Sequence, residues 1–411
     1  MFKKIITVFV IAVLFLFAGC SDKIAADDLM GDITAAAVNA KTPDDTFIDA
    51  AADFSVGLFK KTLSETNNSL ISPTSVLLAL SMTANGADNA TLSQMEAVLG
   101  GGLSIGELNE YLYSYVKGLP SGEKSKLNIA NSIWFRENGF APNRDFLQTN
   151  ADYYGAAAYK APFDGRTVKD INLWVKNATD GLIDNVIKEI PAETIMYLIN
   201  TVLFDAEWQS IYEKNAVRDR EFTAFNGAKQ TVKFMNSSES KYLAGGGAAG
   251  FIKPYFGNKY SFVALLPDES ISINDYAAAL TGEGFMNIIK NASVEKVVTA
   301  MPKFEYDYEI EMNGALMAMG MTDAFYPGNA DFSKIGTADG NIFISQVLHK
   351  TFITVDERGT KAGAVTVVSE GATSAEPQQP KIVILDRPFV YAIIDNATNL
   401  PIFMGTLMTC K

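Results

Sequence analysis

The stretch VDERGTKAGAVTVVSEGATSAEPQQPKIVILD, residues 355–386, has an unusual composition for the middle of a folded chain. Its two ends are strand-like, but no residue from Arg358 to Gln379 is large and apolar or aromatic. Such a segment has too little side chain to bury in a core, so it predicts a long exposed loop. Loops of this length inside a compact chain are uncommon and usually functional.

The same stretch also has the period of a strand. Small or β-branched side chains recur at every second position, which is the spacing of one face of a strand: Thr360, Ala362, Ala364, Thr366 and Val368. Lys361, the only charge between Arg358 and Glu370, falls on the opposite face. The segment is therefore predicted to be an exposed loop that can also become a buried strand.

The beginning of this loop resembles the hinge of the serpin family. The family pattern Glu-x-Gly-Thr-Glu-Ala-Ala-Ala-Ala-Thr is written ERGTKAGAVT here, at residues 357–366. The departures are Lys361 in place of the acidic residue, Gly363 in place of one alanine, and Val365. The hinge residues that the resemblance implies are Glu357, Gly359, Thr360, Ala362, Gly363, Ala364 and Thr366.

Further blocks match the serpin family in the family's order, over nearly all of residues 46–409. They are SPTS at 72–75, INLWV at 171–175, NTVLF at 200–204, MPKF at 301–304, MGMTDAF at 319–325, DFS at 331–333 and DRPF at 386–389. Asp205-Ala206 before Trp208, and Gly181-Leu182, depart from the usual residues but lie outside the loop. Several blocks in the right order are far more specific than one motif.

Hydrophobic periodicity predicts a mixture of helices and strands. We expect a helix from a capping box at Thr46 and further helices over 73–83, 91–100 and 168–190. Strands are expected at 126–136, 199–204, 230–235, 259–266, 295–301 and 342–356, with a closing hairpin of 389–394 and 402–407. The order has no steady βαβ rhythm, which indicates a mixed α+β protein. The resemblance implies the serpin fold, with three β-sheets, about eight or nine helices and an exposed reactive-centre loop at about 357–381.

The N-terminus has the features of a targeting segment. Lys3 and Lys4 precede an unbroken apolar run at 5–17, and Ala18-Gly19 precedes Cys20. The run is short for a membrane-spanning helix. It resembles a bacterial lipoprotein signal, in which Cys20 carries the lipid; an ordinary secretory signal is the alternative.

These features predict an exported protein, anchored through Cys20 in a lipid membrane at the cell envelope or surface. We divide the chain into a signal peptide at 1–20, a polar tether at 21–45 and a serpin domain at 46–411. Cys410 is the only other cysteine, so lipidation of Cys20 leaves no disulfide partner.

Composition and the histidine count exclude several classes of function. The net charge of −13 argues against a nucleic-acid partner, because polyanions favour clustered Lys and Arg. His349 is the only histidine, so a multi-histidine metal site is excluded and a Ser/His hydrolase has one candidate base. Gly245-x-Gly247-x-x-Gly250 lacks the surrounding βαβ unit of a dinucleotide site and is explained by a hairpin loop. We expect no enzyme activity, no metal and no cofactor.

The resemblance implies a structural role for His349. In serpins the matching histidine joins a buried polar cluster, called the shutter, beneath the main sheet, with residues matching Ser72, Ser75 and Asn200. A buried cluster of this kind must be hydrogen-bonded to be tolerated. Ser72 followed by Pro73 is also a good helix cap with a first-turn proline.

The resemblance further implies a suicide-substrate inhibitor. A protease attacks one loop carbonyl to give an acyl-enzyme, and the cut hinge side inserts into the sheet as a new strand. The family's spacing from the hinge places the cut at Thr373–Ser374. Measured back from Pro388 the loop is about four residues longer than usual, which leaves Ala372, Glu370 and Val368 open as alternatives.

Small residues in the loop favour elastase-like or subtilisin-like proteases. Trypsin-like targets are disfavoured because no basic residue lies between Lys361 and Lys381. The expected partner is a serine protease in a covalent complex with a monomer, and cysteine proteases are left open. A non-inhibitory serpin that acts as a carrier, adhesion protein or chaperone is the alternative, and the small hinge side chains favour the inhibitor.

Overall fold

Two large β-sheets and the helices packed on them make up most of the chain in a computed structural model. The model describes residues 23–119, 121–183, 185–360 and 379–410. Within these ranges the chain forms nine α-helices and three sheets, of nine, seven and two strands. The predicted mixed α+β class, the three sheets and the number of helices are confirmed.

The helices are α1 (Asp45–Thr62), α2 (Pro73–Ala84), α3 (Asn89–Gly100), α4 (Ile105–Gly118), α5 (Arg144–Tyr154), α6 (Gly165–Ala178), α7 (Ile273–Ala279), α8 (Gly282–Lys290) and α9 (Asn313–Met319). Helix α1 begins earlier than the predicted Thr46 capping box, because the Asp44 carboxylate accepts a hydrogen bond from the Phe47 N–H at 3.1 Å. Every residue of α2 is buried, including its two serines and two threonines. No helix in the described ranges is both long and apolar enough to cross a membrane.

The strands are β1 (Asp27–Asp28), β2 (Ser69–Ile71), β3 (Ser125–Arg136), β4 (Ala141–Pro142), β5 (Ala157–Ala161), β6 (Met196–Glu207), β7 (Val217–Thr223), β8 (Lys229–Gly245), β9 (Ala248–Pro254), β10 (Tyr260–Pro267), β11 (Ser293–Pro302), β12 (Phe304–Glu311), β13 (Gly336–Thr337), β14 (Gln346–Val355), β15 (Gly359–Thr360), β16 (Lys381–Ile384), β17 (Phe389–Asp395) and β18 (Pro401–Leu407). The predicted closing hairpin is present as β17 paired with β18. The glycine-rich sequence at 245–247 lies at the turn between β8 and β9, as expected for a hairpin loop.

The seven-stranded sheet has the order β1-β5-β3-β6-β15-β14-β12. Strand β6 lies near its middle and is buried over almost its whole length, in agreement with its apolar sequence. The nine-stranded sheet runs β16-β11-β8-β9-β10-β17-β18-β2, with β7 paired to β8. The third sheet is formed by β13 and β4.

The predicted helix over 168–190 is too long. Helix α6 ends at Ala178, and both Asp180 and Gly181 then adopt positive φ angles, of 52° and 80°. Left-handed residues at this place end a helix by satisfying its last carbonyls, and the Gly181 N–H donates to the Lys176 carbonyl at 2.7 Å. The chain beyond α6 therefore runs across the sheet instead of continuing as a helix.

Much of the segment predicted as a polar tether lies against the domain. Strand β1 pairs with β5 at the edge of the seven-stranded sheet. The Ala25 and Ala26 N–H groups donate to the two carboxylate oxygens of Asp170 on α6, at 3.1 and 2.9 Å. Leu29, Met30 and Ile33 pack on the main core. Backbone pairing and a few apolar side chains thus fix a sequence whose composition suggests a free linker.

Candidate functional site

The predicted hinge begins with a tight turn at the end of β14. The Asp356 carboxylate accepts hydrogen bonds from the N–H groups of Arg358 and Gly359, at 2.8 and 3.3 Å. The Asp356 N–H donates to the Gly359 carbonyl at 3.0 Å. An aspartate that bonds to the backbone two residues ahead stabilises a turn, so the chain reverses and returns beside β14 as β15.

Strand β15 is inserted between β14 and β6. Thr360 lies opposite Val355 on one side and Ala206 on the other. Its side chain is only 3% exposed, and its hydroxyl is 2.6 Å from that of Tyr255. Gly359 is required by this close approach, since a Cβ there would lie 2.0 Å from the Ala206 carbonyl oxygen.

Two residues that follow β6 hold the turn through its three carbonyl groups, and we call them the hinge clasp: Trp208 and Tyr212. The Trp208 backbone N–H donates to the Arg358 carbonyl at 2.7 Å, and its indole N–H to the Asp356 carbonyl at 2.9 Å. The Tyr212 N–H donates to the Glu357 carbonyl at 2.8 Å. The clasp therefore fixes the point from which β15 starts.

An ion pair at the surface also stabilises this turn. The Lys303 ammonium lies 2.6 Å from the Glu357 carboxylate, and both side chains are about one-third exposed. Partial burial is the largest single effect on Glu357 and opposes its charged form. The hydrogen bond from Lys303, a backbone hydrogen bond and the positive charges of Lys303 and Arg358 together outweigh it, so the pKa of Glu357 is lowered.

Below Thr360 a narrow cleft separates the two strands. Strands β6 and β14 pair directly only where residues 197–201 meet residues 346–350. Between that pairing and Thr360, residues 202–204 of β6 and 352–354 of β14 line the cleft. Thr179, Leu182 and Ile183, from the chain just after α6, complete its lining. The cleft continues the line of β15, so it is where a longer inserted strand would lie.

The four residues predicted for the shutter lie together at the other end of the cleft. The Ser72 backbone N–H donates to His349 Nε2 at 3.0 Å, and His349 Nδ1 lies 2.7 Å from Asn200 Oδ1. Because Nε2 is an acceptor, the proton is on Nδ1, which donates to Asn200. The Ser75 hydroxyl donates to the same oxygen at 2.7 Å, and the Asn200 amide donates to the Ser75 carbonyl at 2.8 Å.

The shutter is uncharged. His349 is completely buried, and burial lowers its pKa to about 3, so the imidazole is neutral at ordinary pH. Ser72 occupies the predicted N-cap position of α2, but its hydroxyl forms no hydrogen bond to the described residues. Its contribution comes through its backbone N–H, which differs from a side-chain cap.

With this geometry, comparison with known proteins identifies the fold. The model of the family Serpin (serine protease inhibitor) matches residues 49–410. The chain belongs to the serpin family. Serpins are generally protease inhibitors and not enzymes, and the single buried histidine of this serpin is engaged in a structural network.

Relatives of this serpin match it over most of their length. An uncharacterized serpin-like protein of Thermococcus kodakarensis is 30% identical, over 89% of this chain and 86% of its own. The crystal structure of tengpin, a thermophilic serpin, in the native state is 57% identical with a TM-score of 0.90, and the match covers 93% of this chain and 99% of that one. Its latent-state structure gives a TM-score of 0.81 at 55% identity, covering 90% of this chain and 100% of that one. The arrangement described here is therefore more similar to the native than to the latent state of tengpin.

Several contacts at the hinge were not predicted from the sequence of this serpin. The sequence assigns no role at the hinge to Trp208, Tyr212, Tyr255 or Lys303. Asn131, which accepts from the Asn200 amide at 2.5 Å, was also missed. A tryptophan just after a long and almost fully buried strand was the one available signal.

Some predicted residues lie outside the described ranges of this serpin. Among them are four hinge residues, the predicted scissile pair with its alternatives, and the lipid-attachment cysteine: Ala362, Gly363, Ala364, Thr366, Thr373, Ser374, Ala372, Glu370, Val368 and Cys20. Their roles stay predictions.

Proposed function

We propose that this serpin is a suicide-substrate inhibitor of serine proteases that accept small side chains, of the elastase or subtilisin type. The observation that carries this proposal is the buried position of Thr360. The first inward-facing hinge residue is already buried between β6 and β14, above a cleft that leads on between the same two strands. Insertion of the hinge into the sheet has thus begun at Thr360 before any protease acts.

The chemistry follows from the loop. The protease hydroxyl attacks the carbonyl carbon of Thr373, the peptide bond to Ser374 breaks, and the amine of Ser374 leaves with the proton that the protease's base took from the hydroxyl. The carbonyl remains on the protease as an ester. The hinge side is then free at its cut end and can extend β15 along the cleft, which is an established example of β-strand addition.

The length and side chains of the hinge suit this movement. Fourteen residues from Thr360 to Thr373, at about 3.3 Å each, form a strand of about 45 Å. Such a strand would carry the bound protease toward the opposite pole of the molecule before the ester is hydrolysed. Ala362, Ala364 and Thr366 continue the inward face of Thr360 and leave no charge to bury.

We also propose that the protein acts outside the cytoplasm, as a monomer held to a membrane by a lipid on Cys20. The support is the N-terminal sequence, with its basic start, its apolar run and the small residues before Cys20. Incorporation of a labelled fatty acid, with a Cys20→Ser control, tests this separately from inhibition. An unlabelled parent protein would contradict it.

The test of inhibition is incubation with pancreatic elastase and with subtilisin, followed by denaturing electrophoresis and mass spectrometry. We expect an adduct that survives denaturation and a released fragment that begins at Ser374. Cleavage without an adduct would contradict the inhibitor and support the non-inhibitory alternative, a binding, carrier or adhesion protein. Sequencing the fragment also decides between Thr373 and the three alternatives.

A second measurement tests the stored energy on which insertion depends. The protein cut in its loop by catalytic amounts of protease should melt at a higher temperature than the intact protein, because β15 then lengthens and fills the cleft. An unchanged or lower melting temperature would contradict the mechanism.

A further inference from the structure

Beneath the hinge clasp lies a buried ion pair. Lys253 on β9 and Glu239 on β8 approach to 2.8 Å, and their side chains are 1% and 9% exposed. Lys253 is the only lysine or arginine counted as buried in the part of the chain that the structure describes. A buried pair gives little or no net stability compared with well-packed apolar residues, so its presence calls for another explanation.

The pair contacts both members of the clasp. The Lys253 ammonium lies 4.3 Å from the ring centre of Tyr212 and 5.5 Å from that of Trp208. Both distances are within the range of a cation–π interaction, which strengthens when the groups are out of water. One cation thus fixes the rings of the two residues whose N–H groups hold the turn at 356–358.

Other contacts hold the pair itself in place. The Glu239 carboxylate also accepts a hydrogen bond from the Ser237 hydroxyl at 2.6 Å, and that hydroxyl is 2.9 Å from the hydroxyl of Thr299. On the other side, Trp208 stacks on Tyr255 with ring centres 4.5 Å apart. A continuous set of contacts therefore joins Glu239 and Lys253 to Trp208, and through Tyr255 to Thr360.

We propose that Lys253 and Glu239 are positioning residues for loop insertion, holding Trp208 and Tyr212 so that the turn at 356–358 starts the inserting strand in the correct register. This inference rests on the proposed inhibitory function. The clasp contacts the turn and not the inserting residues, so it can persist while β15 lengthens. A loosened turn delays the first step of insertion, and the acyl-enzyme is then hydrolysed more often before the protease is displaced.

The test is the double variant Lys253→Met with Glu239→Gln, which removes both charges together and keeps an acceptor for Ser237. Replacing only one partner would leave an uncompensated buried charge and could simply unfold the protein. With elastase or subtilisin, we expect the moles of serpin consumed per mole of protease inactivated to rise about fivefold. The association rate should stay unchanged, because the sequence of the predicted protease-binding loop is unaltered.

The matched control is Lys233→Met. Lys233 lies on β8, the strand that also carries Glu239, but both side chains of its ion pair with Asp219, at 2.9 Å, are exposed. This variant should consume no more serpin than the parent. The near-ultraviolet circular dichroism should change in the double variant and not in the control, because only the former removes a cation from the indole of Trp208.

Three results separate the possibilities. An unchanged stoichiometry in the double variant would overturn the proposal. If the double variant has a higher stoichiometry, a slower association rate and a lower melting temperature, the role of the pair is purely structural, and the proposal is also overturned. If the parent forms no adduct, the inhibitory function fails; the clasp is then judged from hydrogen exchange at the Trp208 and Tyr212 amides. Faster exchange in the double variant supports the positioning role, and equal exchange contradicts it.

Discussion

The two ends of the contact between β6 and β14 are closed in different ways. At the shutter end the strands pair directly over a buried, uncharged network centred on Asn200 and His349. At the hinge end they are separated by the two residues of β15, and the turn beside it is held by clasp N–H groups and a partly exposed ion pair. The same two strands are thus directly paired at one end and separated by a third strand at the other.

This difference indicates where the sheet opens. Opening the shutter end would leave several buried donors and acceptors without partners, each at a cost of roughly 1–3 kcal/mol. Lengthening β15 from the hinge end replaces an empty cleft with backbone pairing. Insertion is therefore expected to proceed from the hinge toward the shutter, which lies near the start of the direct pairing between residues 197–201 and 346–350.

The largest expected effect is at the hinge end. Thr360→Arg would place a guanidinium, without a charged partner, in the buried position between β6 and β14, at a cost of several kcal/mol, on the order of 3–5. We expect the variant to become a substrate that elastase cleaves without forming an adduct, as seen by denaturing electrophoresis. Thr360→Ser, which keeps the hydroxyl near Tyr255, is the control and should still form the adduct. A stable adduct with the arginine variant would refute the role of this position.

The next effect is at the shutter. Asn200→Ala removes the group that joins Ser75 and His349, and should lower the free energy of unfolding by about 3 kcal/mol, measured by urea titration. Asn128→Ala, on the neighbouring strand β3, is the matched control. The Asn128 amide donates one hydrogen bond, to the Ala178 carbonyl at 2.7 Å, so a loss of about 1 kcal/mol is expected. If the two variants lost equal amounts of unfolding free energy, the shutter network would be no more stabilising than a single hydrogen bond.

A smaller effect follows from the buried histidine. Below pH 6.5 the unfolded chain binds a proton at His349, whereas the folded protein, with a pKa of about 3, does not. Stability is therefore full above pH 6.5 and falls as the pH drops toward 3, by about 1.4 kcal/mol between pH 7.5 and 5.5. His349 is the only histidine, so His349→Gln should remove this slope in the same titrations. A slope that persists in the variant would assign it to other groups.

The smallest effect is at the exposed side of the hinge. Lys303→Met breaks the ion pair with Glu357, but both side chains are one-third exposed and water screens their attraction. We expect the free energy of unfolding to fall by about 0.5 kcal/mol, and by less at high salt, where dissolved ions screen the pair. A change as large as that of Asn200→Ala would show that the hinge end is fastened as firmly as the shutter.

The hinge shows how far the sequence alone could go. Alternating small residues after Gly359 predicted a segment able to become a strand, but not that Thr360 is already inserted. That depends on how closely the backbone of residue 206 approaches, which no local pattern reports. The shutter residues were found only through the family resemblance, since Ser72, Asn200 and His349 are far apart in sequence. Lys253 could not be identified as buried, because a lysine in a strand is ordinarily placed on the solvent face.

The docked N-terminal segment has a consequence for the geometry of attachment. A free linker from residue 20 to residue 45 could extend about 85 Å, but within the described residues, which begin at 23, Ala25 already donates a hydrogen bond to the domain. With five residues left, a lipid on Cys20 would hold α6 within about 17 Å of its attachment point. The body of the protein would then rest close to the headgroups with one flank turned toward them, instead of ranging freely above the bilayer.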